Sequence, residues 1–137
     1  MSNGASASDD GVAGVLICDD NEAMRTLLGL IVGGSAMLEV VGEAANGDEV
    51  IVQASRLQPE VILLDLAMPV RSGLDALPEL RHVAPDARVV VYSGFADGIA
   101  AEEVVALGAA AYVEKGAPPD EIVGTIERAL ADAANVR

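Results

Sequence analysis

At 137 residues and 52% hydrophobic content, the chain has the size of one domain with a buried core, which excludes disorder as a description of the whole. A formal net charge of −14 sets it against polyanions, so direct binding to nucleic acid or to anionic membrane surfaces is not expected. Ala, Val, Leu and Ile supply nearly all the apolar content, with no Trp, one Phe and two Tyr. Small branched side chains suit helices packed on a parallel sheet rather than a sandwich built on large aromatics.

The one cysteine, Cys18, excludes an internal disulfide, lies in an apolar run, and fits a reduced, cytoplasmic setting. No apolar stretch is long enough to span a bilayer. Residues 1–11 are polar and small, lack the regions of a signal peptide, and read as a flexible tail. The domain is expected over residues 12–134.

Val12 to Cys18 is an apolar run with the pattern of a strand buried on both faces. Asp19 and Asp20 follow it. Met24, Leu27, Leu28 and Ile31 then recur at helical spacing, with Asp20 or Asn21 as the cap and Gly33–Gly34 as the stop. Leu38 to Ala44 is a second strand, weakened by Gly42, and Asn46–Gly47 marks a turn. Val50, Ile51, Ala54 and Leu57 line a second helix that Pro59 ends. Val61 to Leu64 is the clearest strand, and Asp65 follows at once. A loop through Met68, Pro69 and Gly73 leads to a helix carrying Leu74, Leu77 and Leu80, with Pro78 inside its pattern. Arg88 to Tyr92 is a fourth strand, followed by Ser93–Gly94. Ile99 to Leu107 is a fourth helix stopped by Gly108. Ala111 to Val113 is a short fifth strand. Pro118 and Pro119 introduce a last helix with Ile122, Val123, Ile126 and Leu130 on one face.

Strict strand–helix alternation implies parallel βαβ units with right-handed crossovers and helices on both faces. Five units point to a flavodoxin-like α/β fold, a doubly wound five-stranded parallel sheet in the order 2-1-3-4-5. In such sheets ligands sit outside the strand C-terminal ends, at the switch point between strands 1 and 3. Asp19 and Asp20 leave strand 1 and Asp65 leaves strand 3, so three carboxylates crowd one crevice. Ser93 leaves strand 4 and Lys115 follows strand 5. Clustered carboxylates repel, and a hard divalent cation relieves that repulsion through oxygen ligands. One carboxylate then becomes a nucleophile towards phosphorus, with the cation, the ammonium and a hydroxyl neutralising the transferred group.

The segments LICDDN (Leu16 to Asn21), VILLDLAMP (Val61 to Pro69), VVVYSG (Val89 to Gly94) and LGAAAYVEKG (Leu107 to Gly116) occur in order, each at the expected strand. Over about Val12 to Leu130 the chain resembles the response-regulator receiver family of two-component signalling (CheY-like). The resemblance implies that Asp65 is the phosphoacceptor. It also implies that Asp20 binds Mg²⁺ (or Mn²⁺) directly, that Asp19 assists, and that the backbone carbonyl of Ala67 is a further ligand. Ser93 would hydrogen-bond a phosphoryl oxygen, Lys115 would pair with the phosphoryl group, and Tyr112 would change rotamer as Ser93 is drawn inward. It further implies a histidine kinase or phosphotransfer protein as donor. The downstream protein would bind the face of helix 4, strand 5 and helix 5, which also serves homodimers. Two positions depart from the family pattern. Gly116 stands where Pro commonly follows the Lys, which would leave the loop more mobile and Lys115 less fixed. Ala67 stands where a polar side chain is common, which would alter water access.

Other readings compete. A receiver-like interaction or dimerisation module that no longer uses phosphorylation is one. An enzyme with an aspartyl-phosphate intermediate is another, but Asp65 is followed by Leu66 and Ala67 rather than by the DxDx(T/S) pattern of haloacid-dehalogenase-like phosphatases. There is no GxxxxGK[ST] loop for an NTPase, and the first helix opens with Asp-Asn-Glu rather than a flavin phosphate loop. His82 has no companion for a transition metal. Arg71, Arg81 and Arg88 are scattered and form no basic patch.

Overall fold

The computed structural model describes residues 11–94 and 101–136. The expected tail falls outside them except for Gly11, as does Ile99, the expected start of the fourth helix. The elements run β1 (Ala13–Cys18), α1 (Glu22–Gly33), β2 (Leu38–Ala44), α2 (Gly47–Leu57), β3 (Val61–Leu64), α3 (Gly73–Val83), β4 (Arg88–Ser93), α4 (Ala101–Ala106), β5 (Ala111–Glu114) and α5 (Pro119–Val136). The strands form one sheet in the order β2-β1-β3-β4-β5, and every pairing is parallel. This is the flavodoxin-like order expected from the alternation.

The period-2 geometry of strands divides the core into two layers. Leu16 and Cys18, Ile62 and Leu64, and Val89 and Val91 face the layer completed by Val50 and Ala54 of α2, Leu77 and Leu80 of α3, and Val104 of α4. Val15 and Ile17, Val61 and Leu63, and Val90 and Tyr92 face Leu28 and Val32 of α1 and Ile122, Ile126 and Ala129 of α5. Both faces of the three central strands are therefore apolar, which is why they read as continuous runs rather than alternating ones.

The helix ends follow local chemistry. Asn21 caps α1, its Oδ1 accepting the Met24 N–H at 3.0 Å. Asn46 caps α2 through Glu49 N–H at 2.9 Å, and Ser72 caps α3 through Asp75 N–H at 3.0 Å. α2 ends with Gln58 in the left-handed region, directly before Pro59, which cannot continue a helix. α3 runs through Pro78. The burial of Leu77 and Leu80 beside it offsets the lost backbone bond.

Two particulars differ from the periodicity. Leu27 belongs to the helical pattern but is 49% exposed. The inward face of α1 is instead Leu28 and Val32, with Met24 and Ile31 packed beside them. The sheet covers only a narrow stripe of this flanking helix, and Leu27 lies off it. In β2, Val41 is an extra residue, since Val15 pairs with Val40 and Leu16 with Gly42. A Cβ at Gly42 would lie 2.7 Å from Leu57 Cδ1, so this glycine marks close helix–sheet packing after a bulge. Among the described residues, no helix is long and apolar enough to cross a membrane.

Candidate functional site: an acidic crevice at the strand C-termini

The parallel ladders continue one residue past the strands. Asp19 N–H donates to the Ala44 carbonyl at 3.0 Å, Asp65 N–H to the Cys18 carbonyl at 2.9 Å, and Lys115 N–H to the Ser93 carbonyl at 2.9 Å. These bonds set Asp19 and Asp65 side by side at the edge where β1 meets β3, and Lys115 beside the end of β4. Asp19, Asp65 and Ser93 are buried, while Asp20 is exposed.

Each buried carboxylate is divided between a local and a long-range partner. Asp65 Oδ1 accepts the Ala67 N–H at 3.1 Å, and Oδ2 accepts from Lys115 Nζ at 3.0 Å. Asp19 Oδ1 accepts the Asn21 N–H at 2.9 Å. Its Oδ2 lies 3.4 Å from Lys115 Nζ but forms no hydrogen bond and is buried. Arg25 closes the back of the site, donating through Nη1 to the Asp19 carbonyl at 2.7 Å and through Nε to Glu43 Oε1 at 2.9 Å.

One ammonium thus pairs with two of three clustered carboxylates. Oxygen atoms of Asp19, Asp20 and Asp65 all lie within 4.8 Å of one another. Burial raises the proton affinity of Asp65, and the Asp19 charge adds to this; the Lys115 bond and charge and the Ala67 N–H oppose it without cancelling it. Burial alone would lower Lys115, but Asp65 and then Asp19 more than offset that and hold it above its ordinary value. Burial, followed by the charges of Asp19 and Asp65, pushes the Cys18 thiol far up, so it is an inert core residue. An all-oxygen donor set, a surplus of negative charge and an orphaned buried oxygen on Asp19 fit a hard divalent cation.

The crevice brings together Asp19, Asp20, Asp65 and Lys115 as expected, with Ser93 at the end of the adjoining strand. Ser93 Oγ lies 3.5 Å from the Gly94 carbonyl. Ala67 enters first through its N–H, a role not foreseen in the sequence. Tyr112, opposite Val91 in the β4–β5 register, packs on the α2–α3–α4 layer. Tyr92 was missed. Its ring is buried with Lys115 Nζ 5.8 Å from its centroid, within cation–π range, and its hydroxyl meets Met24 Sδ at 3.5 Å. Only its place one residue before Ser93 signalled it.

Gly116 has φ of +91°, a conformation that proline, locked near −65°, cannot take. The departure from Lys-Pro is thus a different loop path. Lys115 was expected to be less fixed; in the structure its backbone is held by Ser93 and its ammonium by two carboxylates.

The response regulator receiver domain family matches residues 15–127, and the chain belongs to that family. It is 32% identical over 114 residues to the chemotaxis protein CheY of Thermotoga maritima, covering 83% of this chain and 94% of that one. It is 36% identical to the nitrate/nitrite response regulator protein NarL of Escherichia coli over 121 residues, 87% of this chain. It is 34% identical to the response regulator GacA of Pseudomonas aeruginosa over 117 residues, 85% of this chain. It spans only 55% of each of those two proteins. Among solved structures, the response regulator domain of Thermotoga maritima CheB superposes with a TM-score of 0.75 at 28% identity, covering 92% of this chain and 98% of that one. A LuxR-family two-component response regulator from Aurantimonas sp. gives 0.79 at 27% identity, covering 88% and 86%.

Proposed function

We propose that the chain is a phosphoacceptor switch in a two-component or phosphorelay system, with Asp65 as the acceptor. The observation that carries this is the Asp65 carboxylate itself. It is buried at a strand end, with one oxygen on a backbone N–H and the other on the chain's single lysine, beside two further aspartates.

Asp19, Asp20, Asp65 and the Ala67 carbonyl would hold Mg²⁺ (or Mn²⁺), which supplies charge neutralisation for the incoming phosphoryl group. An Asp65 oxygen attacks phosphorus and forms the O–P bond. The bond from phosphorus to the donor histidine of a histidine kinase or phosphotransfer protein breaks, and its electron pair stays on the imidazole. Lys115 then transfers its hydrogen bond from the carboxylate to a phosphoryl oxygen. Ser93 supplies a hydroxyl to the same group, Tyr112 follows by changing rotamer, and the α4–β5–α5 face shifts its population towards a partner-binding form. On this reading the chain receives a phosphoryl group rather than acting as a dedicated enzyme. It works in the cytoplasm and, being strongly acidic, does not itself touch nucleic acid. Its output is a protein contact or a homodimer through α4–β5–α5.

The test is incubation with acetyl phosphate, read by intact mass, for wild type with Mg²⁺, wild type with chelator, and Asp65→Asn. One added phosphoryl group in the first sample alone is expected. Undiminished labelling of Asp65→Asn overturns the assignment. No labelling in any sample, with partner binding insensitive to donor, favours the phosphorylation-independent interaction module.

A further inference from the structure

The loop that follows Asp65 carries a strained turn. Val70, a β-branched residue, has φ of +66°, a region such residues rarely enter. Arg71 N–H donates back to the Pro69 carbonyl at 2.6 Å, a three-residue turn of the strained γ type. Val70 is 81% exposed, so no packing of its own holds it there.

Arg71 supplies the restraint. Nη2 pairs with Glu79 Oε1 of α3 at 2.7 Å, and Nη1 lies 3.7 Å from Asp48 Oδ1 of α2. Its carbonyl accepts the Gly47 N–H at 2.6 Å, where a Cβ on Gly47 would come within 2.5 Å of that oxygen. The loop is thus pinned to two helices just past the strained residue. Its other end returns to the site, since Gly73 N–H donates to the Leu66 carbonyl at 2.9 Å. Between these anchors lies Ala67, whose N–H holds Asp65 Oδ1.

We infer that Arg71 is a positioning residue for the acidic crevice, its bridge between α2 and α3 holding the strained Pro69–Arg71 turn and so placing the Ala67 backbone against Asp65 and the cation. The inference rests on the proposed Mg²⁺-dependent reading of that crevice. Without the Arg71 guanidinium the turn would keep only its backbone bond to Gly47 and would relax, and Ala67 would drift. A glycine at position 70 adopts positive φ without that penalty and would keep the turn unaided.

The experiment is calorimetric titration with Mg²⁺, alongside the amide resonance of Ala67 in metal-free protein, for wild type, Arg71→Ala and Val70→Gly/Arg71→Ala. Arg71→Ala should weaken Mg²⁺ binding about ten-fold, the scale of losing a group that orients a ligand, and shift the Ala67 amide. The double variant should recover most of both. Mg²⁺ affinity and amide position unchanged in Arg71→Ala, even with a lower melting temperature, would show that the residue merely stabilises the fold and would overturn the inference. So would a loss that glycine at 70 fails to repair. If wild type itself binds no Mg²⁺, the reading of the crevice fails instead, while the Ala67 amide still reports on Arg71.

Discussion

Lys115→Met removes the ammonium that pairs with the Asp65 and Asp19 carboxylates while keeping most of the aliphatic stem. The deletion leaves Asp65 and Asp19, both essentially inaccessible, without their shared ammonium at 3.0 and 3.4 Å. Stripping a partner from a fully buried ion pair costs roughly 3–5 kcal/mol. The lysine side chain is 30% exposed, so water already screens part of the attraction, and about 2 kcal/mol is expected at neutral pH. For a domain of this size that is about 7 °C in melting temperature. The sign with pH is fixed by Asp65. Asp65 is already held above its ordinary value by burial, and losing Lys115 raises it further. Protonation therefore relieves the variant, and its deficit should shrink as the pH falls from about 8 towards the carboxylate range near 4. Urea unfolding of both proteins across that range measures it. A deficit equal at both ends would mean that the loss does not come from unpaired carboxylate charge, refuting the electrostatic account.

Asp65→Asn should be more stable than wild type at neutral pH. A raised carboxyl gives stability that is full below its unfolded value and lost as pH rises through the folded one. The gain should fade on acidification in thermal melts. Gly73→Ala puts a Cβ into the Asp65 carbonyl, with Leu64 Cγ 3.1 Å away. It should cost about 2–3 kcal/mol and lower the yield of phosphoryl labelling. Gly116→Pro restores a residue common in the family but incompatible with φ of +91°, so it should cost about 3 kcal/mol. Gly116→Ala, with nothing within 4 Å of its Cβ, should cost about 1 kcal/mol. Equal effects of the two substitutions, read by urea unfolding, would rule out the conformational explanation.

Strand identity was legible in the chain because it rests on near neighbours, and the sheet order and the gathering of Asp19, Asp20, Asp65 and Lys115 followed because strand–helix alternation with right-handed crossovers admits few topologies. Short, β-branched apolar runs bounded by turn signals read as strands buried on both faces, and a polar residue directly after such a run lies at its C-terminal edge. The helix caps at Asn46, read as part of a turn, and at Ser72, not singled out, obey equally local chemistry. Other features depend on what lies across the fold. Leu27 matches the helical period, yet the width of the sheet beneath α1 leaves it outside. Tyr92 becomes the aromatic beneath Lys115 only because β5 pairs with β4 and brings the ammonium over its ring. The loop path that excludes proline at 116, and the bridge from Arg71 to Asp48 and Glu79, join groups many residues apart. Local pattern specifies which face a residue occupies, whereas the packing of non-neighbouring elements specifies which atom it meets there, and the pairing of each carboxylate oxygen in the crevice is a matter of the second kind.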